Sequence, residues 1–151
     1  GHPGETEQDF EELVDFIKKM RFERMGAFTY SHEADTYSYN NYEDIIPQET
    51  KQERLDYIMR IQERISAELN EQKVGQVLKV IVDREESDFY VGRSQFDSPE
   101  VDPEILISKD KELVIGTMYS VKITDAQAFD LYGKKKKKKK TGVYVCSFMK
   151  K

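Results

Sequence analysis

One cysteine, Cys146, is all that this 151-residue chain contains. That excludes an internal disulfide framework and any thiolate cage for zinc or an iron–sulfur cluster. The only two histidines, His2 and His32, are too few and too scattered for an imidazole metal site. No nucleophile, base and orienting third group fall into a recognisable set, so neither a catalytic residue nor a metal ligand is expected. Long apolar runs are missing as well, which excludes a membrane-spanning helix, and no signal-peptide pattern opens the chain. With a hydrophobic content of 38% against 35% charged residues, a soluble protein of the reducing cytoplasm is expected, with modest cores and no membrane partner.

What is present begins with segregated charge. The net charge of -5 conceals two regimes. Nine of the 24 basic residues follow Gly133, seven of them as the run Lys134 to Lys140, while all 29 acidic residues precede it, leaving residues 1–133 at -14. Within 71–133 there are 7 basic and 13 acidic residues, a net of -6. An acidic surface repels phosphate backbones and favours a basic protein as partner. The lysine run supplies the opposite chemistry, an arm able to contact ribosomal or other RNA.

Four pieces emerge along the chain. Residues 1–46 open with a glycine-proline loop. Phe10, Leu13, Val14, Ile17 and Met20 then recur at helical spacing from Glu7 to Met20, and Thr6 with Asp9 forms an N-terminal cap. Arg21 to Tyr30 reads as a connection, past Gly26, into a short buried strand, and Ser31 to Pro47 as a loop with a turn at Asn40–Asn41. Residues 47–70 carry Leu55, Ile58, Met59, Ile61, Ile65 and Leu69 on a long helix that joins two bodies. Residues 71–133 alternate. Strands are expected around Val74 to Val82, Phe89 to Arg93, Ile105 to Ile107, Met118 to Ile123 and Phe129 to Leu131. Five short strands in that span predict a small closed barrel of the oligonucleotide-binding kind. Residues 134–151, disordered or the product of a frameshift at the lysine tract, form a tail.

Several segments, in order, carry a specific likeness. Gly1-His2-Pro3-Gly4-Glu5-Thr6-Glu7-Gln8-Asp9-Phe10 resembles the GxPGETEEDF segment of the radical S-adenosylmethionine methylthiotransferases. Phe28-Thr29-Tyr30-Ser31-His32-Glu33 with Thr36 is similar to their FxYSxExGT segment, and Asp35 stands where that segment usually has glycine. Gln52 to Leu55 and Gln62 to Asn70, leading to Val74-Gly75, look like the helix entering their TRAM domain. Phe96 to Asp102 resembles a substrate-side loop of the branch that modifies an aspartate of a ribosomal protein.

The resemblance implies a fold and an activity. The fold class would be an α/β fragment from the C-terminal edge of a radical S-adenosylmethionine partial barrel, a connecting helix, and a five-stranded all-β TRAM barrel. The parent enzyme would use S-adenosylmethionine and two [4Fe-4S] clusters to place a methylthio group on the β-carbon of an aspartate in a small-subunit ribosomal protein. The cluster cysteines are absent, so this chain would be inactive without the N-terminal part of its enzyme. Gly1, Pro3, Gly4 and Glu5, together with Tyr30, Ser31, Glu33 and Thr36, would line the cofactor side. Arg93, Asp97, Glu100 and Asp102 would meet the protein substrate. An ordinary turn at Pro99 and Pro103 also accounts for Asp97 and Asp102. Two alternatives stay open: a tRNA methylthiotransferase fragment and an independent RNA-binding module.

Overall fold

Thr6 begins the first helix. Its hydroxyl accepts from the Asp9 amide while the Asp9 carboxylate accepts from the Thr6 backbone, a reciprocal capping box at the head of α1 (Glu7–Met20). Lys18 and Lys19 complement the helix dipole in the last turn, and Arg21, at φ 50°, turns the chain out. The computed structural model describes residues 1–98 and 104–136; Glu100, Asp102 and the tail from 137 onward lie outside them. Thr36 caps a second helix, α2 (Tyr37–Asn41), and Pro47 precedes α3 (Gln48–Glu71). No helix among the described residues is long and apolar enough to cross a membrane.

α1 and α3 share a core. Val14 and Ile17 meet Ile58 and Ile65, with Phe10, Met25, Ile61 and Leu69 packed around them. At about 2 kcal/mol for each fully buried aliphatic side chain, this contact is what holds the two helices together. One flank of α1's apolar stripe is uncovered: Leu13, Phe16 and Met20 are all exposed.

Five strands follow: β1 (Val77–Glu85), β2 (Phe89–Ser94), β3 (Ile105–Ser108), β4 (Met118–Ala126) and β5 (Leu131–Lys135). They close into a barrel in the order β1-β2-β3-β5-β4, antiparallel except where β3 runs parallel to β5. Alternation sends Val80, Val82, Ile105, Ile107, Val121, Ile123 and Leu131 inward, where all are buried. Closure satisfies every strand edge, which is how so small a sheet avoids pairing with other chains. Gly92 and Gly133 sit at tight crossings: a β-carbon on Gly92 would collide with the Ile81 carbonyl, and one on Gly133 with Val121.

Three expectations are corrected. No strand forms within 21–30, because a strand needs a hydrogen-bonded neighbour and no described segment pairs with it; Phe28 is 95% exposed. Residues 37–41 are a helical turn rather than loop, since Thr36 accepts from the Tyr39 amide and supplies the cap. The barrel boundary drawn at Gly133 falls inside β5, where Val121 pairs with Lys135 and Lys122 with Lys134. At the strand ends, Val74 precedes β1 and Phe129 precedes β5.

Candidate functional site

The predicted site residues that the structure describes fall toward opposite ends of α3. Arg54 marks one end and Asn70 the other, about 24 Å apart along the axis at 1.5 Å per residue.

At the first end, the loop from Gly1 to Thr6 lies beside Tyr30 and α2. Gly4, at φ 88°, adopts a left-handed conformation that side chains resist, and the Glu5 amide bonds the His2 carbonyl at 2.9 Å. Tyr30 meets the His2 ring edge-on at 5.0 Å, and its hydroxyl is 3.0 Å from His32 Nδ1. His2 reaches Ser38 on α2 at 2.9 Å. Ser31 donates to Glu33 at 2.6 Å, and Thr36 donates to the Glu33 carbonyl at 2.8 Å. Asp35 holds φ 66°, so it takes up the shape that glycine would give. Of the eight residues of the first predicted set, Gly1, Glu5 and Tyr30 line one pocket, while Ser31, Glu33 and Thr36 bond among themselves. That pocket, of ≈ 260 Å³, is walled by Gly1, His2, Glu5, Tyr30, Lys51 and Arg54.

The electrostatics are set by α3. Burial raises the Glu5 carboxyl, while hydrogen bonding and charge from Arg54 lower it. Asp9 is held below its ordinary 3.8 by the Thr6 hydroxyl and backbone N–H. Burial opposes the charge on Arg54, yet Glu7 and Glu5 together raise it further. Lys51, Arg54 and Asp44 carry this arrangement, and sequence reasoning missed all three. Lys51 and Arg54 resemble the other charges of an amphipathic helix, and only folding shows that they face inward.

The second end is the joint between the helices and the barrel. Asn70, fully buried, donates from Nδ2 to the carbonyls of Gln127 at 3.1 Å and Ala128 at 3.2 Å. Lys73 bonds Glu23, and Gln62 donates to the Phe22 carbonyl at 2.8 Å. Asp97 accepts from Arg24 at 3.0 Å and from the Ser94 amide and hydroxyl at 3.0 and 2.6 Å. Its side chain is only 2% exposed. Asp97 therefore shapes the turn after β2 and straps it to Arg24, instead of presenting its carboxylate to solvent. Arg93 stays on the surface, bound to Asp83 at 3.1 Å.

The acidic excess of the barrel is unevenly spread. Arg84 pairs with Glu86 and, through two bonds, Glu104; Lys109 pairs with Glu85. On the outer side of β1, β4 and β5, exposed Lys79, Lys122, Lys134 and Lys136 gather, with Lys122 directly across the ladder from Lys134. Of these four, only Lys134 has an acidic neighbour among the described residues, Asp110 at 3.6 Å. Like charges facing one another across a ladder cost stability unless an anion joins them.

No cluster of three or more histidine, cysteine, aspartate or glutamate side chains capable of holding a metal exists among the described residues. The residues present therefore do not fit an iron–sulfur cluster. The small pocket beside Gly1 offers instead a tyrosine ring, Tyr30, and a carboxylate, Glu5, with open space above Gly4.

Comparison with known proteins gives these two ends a common origin. Residues 74–135 match the TRAM domain. The chain is 72% identical over 134 residues to the ribosomal protein uS12 methylthiotransferase RimO of Parabacteroides distasonis, an alignment covering 89% of this chain and 31% of that protein. The proteins of the same description from Bacteroides thetaiotaomicron and Porphyromonas gingivalis are 62% and 57% identical, again over 89% of this chain and 31% of theirs. The chain thus spans less than a third of the length of the curated relatives it matches. Over 89% of its length the chain is thus similar to methylthiotransferases of the RimO type, and within that stretch residues 74–135 match a TRAM domain.

Proposed function

We propose that this chain is the C-terminal part of a cytoplasmic radical S-adenosylmethionine enzyme that methylthiolates the β-carbon of an aspartate in ribosomal protein uS12. The observation that carries this is the 72% identity to a uS12 methylthiotransferase, which extends over 134 residues and so reaches well beyond the barrel. S-adenosylmethionine and two [4Fe-4S] clusters would supply the radical and sulfur chemistry, with the cluster thiolates provided elsewhere in the enzyme. Alone, the chain is inactive.

Within that enzyme, Gly1, Pro3, Gly4 and Glu5 allow the backbone to approach the cofactor, while Tyr30, Ser31, Glu33 and Thr36 orient its polar parts. The barrel docks the protein substrate about 24 Å away. Docking so far from the chemistry works only if the joint is stiff, and the Asn70, Lys73 and Arg24–Asp97 contacts supply that stiffness. Arg93 and the segment carrying Glu100 and Asp102 contact the basic ribosomal protein, while Asp97 holds the turn after β2. Charge-reversing Glu100 or Asp102 in the full-length enzyme should weaken uS12 binding and leave S-adenosylmethionine binding intact. Unchanged uS12 binding in both variants would remove the segment from the docking surface.

A second reading has one specific observation behind it, the lysine face of β1, β4 and β5. It places RNA against the barrel, either ribosomal RNA beside uS12 or a tRNA substrate. Exchanging Lys79, Lys122, Lys134 and Lys136 for glutamine should then flatten the salt dependence of RNA binding. An unchanged salt slope would leave the lysine face without a nucleic-acid role.

A further inference from the structure

Two cations in the first turns of α3 hold the loop assigned to the cofactor side. Arg54 donates Nη1 to Glu5 at 2.5 Å and Nη2 to Glu7 at 2.9 Å, and its guanidinium lies 5.2 Å from the Phe10 ring centre. Lys51, 3% exposed, donates to Asp44 at 2.6 Å and stands 5.1 Å over the Tyr30 ring. Its aliphatic stem lies against Gly1 so closely that a β-carbon there would collide with it. Three residues apart, the two side chains share one face of the helix. One helical turn thereby grips the loop through Arg54, and Tyr30 and the segment before α3 through Lys51. Burying two cations is costly, and apolar side chains would fill the same space at less expense. Charged hydrogen bonds add direction, which apolar contact cannot give.

We propose that Lys51 and Arg54 are positioning residues that preorganise residues 1–6 against Tyr30, so that S-adenosylmethionine meets a wall already in place. This rests on the cofactor-wall reading given above. They act through Glu5, Gly1 and Tyr30.

The test uses the full-length enzyme that carries this sequence. Arg54→Gln is compared with Arg54→Lys by amide exchange over residues 2–6, equilibrium binding of S-adenosylmethionine and binding of uS12. Arg54→Gln should speed exchange and weaken S-adenosylmethionine binding about tenfold while uS12 binding holds. Arg54→Lys should recover part of both losses. Should Arg54→Gln fail to fold, Glu7→Gln, which alters only the exposed end of the clamp, should shift both readouts less but in the same direction. Unchanged exchange would overturn the clamp and leave the cofactor wall standing. Faster exchange with undiminished cofactor affinity would overturn the cofactor wall itself. Loss of uS12 binding in step with the cofactor would reduce both residues to general structural roles.

Discussion

Asp35 holds φ 66°, and Thr36 still caps α2 immediately after it. The conformation survives because the Thr36 hydroxyl donates to Glu33 and accepts from Tyr39, and aspartate tolerates the left-handed region better than most residues. Asp35→Gly should therefore stabilise the folded protein slightly, by about 0.5 kcal/mol, whereas Gly4→Ala, at φ 88°, should cost about 1 kcal/mol. Thermal melts of the two variants check both signs. Acid acts on the same loop. Asp9, held by the Thr6 hydroxyl and backbone N–H, has a folded-state pKa below its ordinary 3.8. The stability it contributes is full above that value and is lost as pH falls through the lowered one. Amides of Thr6 and the first turn of α1 should lose exchange protection below about pH 4. An Asp9→Asn variant should show that loss already at neutral pH and little further change on acidification.

Among the elements, α1 and α3 were legible because a capping threonine or a proline opens each and apolar side chains recur at helical spacing. The barrel strands were legible because alternation is strict where one side is fully buried. Residues 22–30 were misread for a physical reason: their apolar content fits a strand, but strand formation depends on partners that local pattern does not report. α2 escaped because five residues are too few for periodicity, although Thr36 was a usable cap signal. Asp97 offered both possibilities, substrate contact or turn, and its burial against Arg24 favours the turn. Its removal should show the difference: Asp97→Ala strands Arg24 and the Ser94 hydroxyl, costing about 3 kcal/mol by chemical denaturation. The lysine face was hidden by counting charge along the chain, since Lys79, Lys122 and Lys134 are brought together only by the ladder pairing of β1, β4 and β5. At the closure of the barrel, Gly133→Ala should cost about 1–3 kcal/mol by overpacking against Val121. Near-wild-type stability of that variant would mean that β4 and β5 do not approach so closely.

For the molecule as a whole, α3 is both half of the helical core and the rod that carries the barrel. The loop at one end and the barrel at the other move together only while the joint at Asn70, Lys73 and Arg24 holds. The exposed stripe of Leu13, Phe16 and Met20 on α1 is the apolar surface that a larger enzyme would cover. The most direct measurement is mass spectrometry of uS12 and of tRNA from cells whose only methylthiotransferase is the full-length enzyme carrying this sequence. A methylthio group on a single aspartate of uS12, with tRNA unmodified, is the predicted result. Modification of tRNA adenosine with uS12 untouched would contradict it.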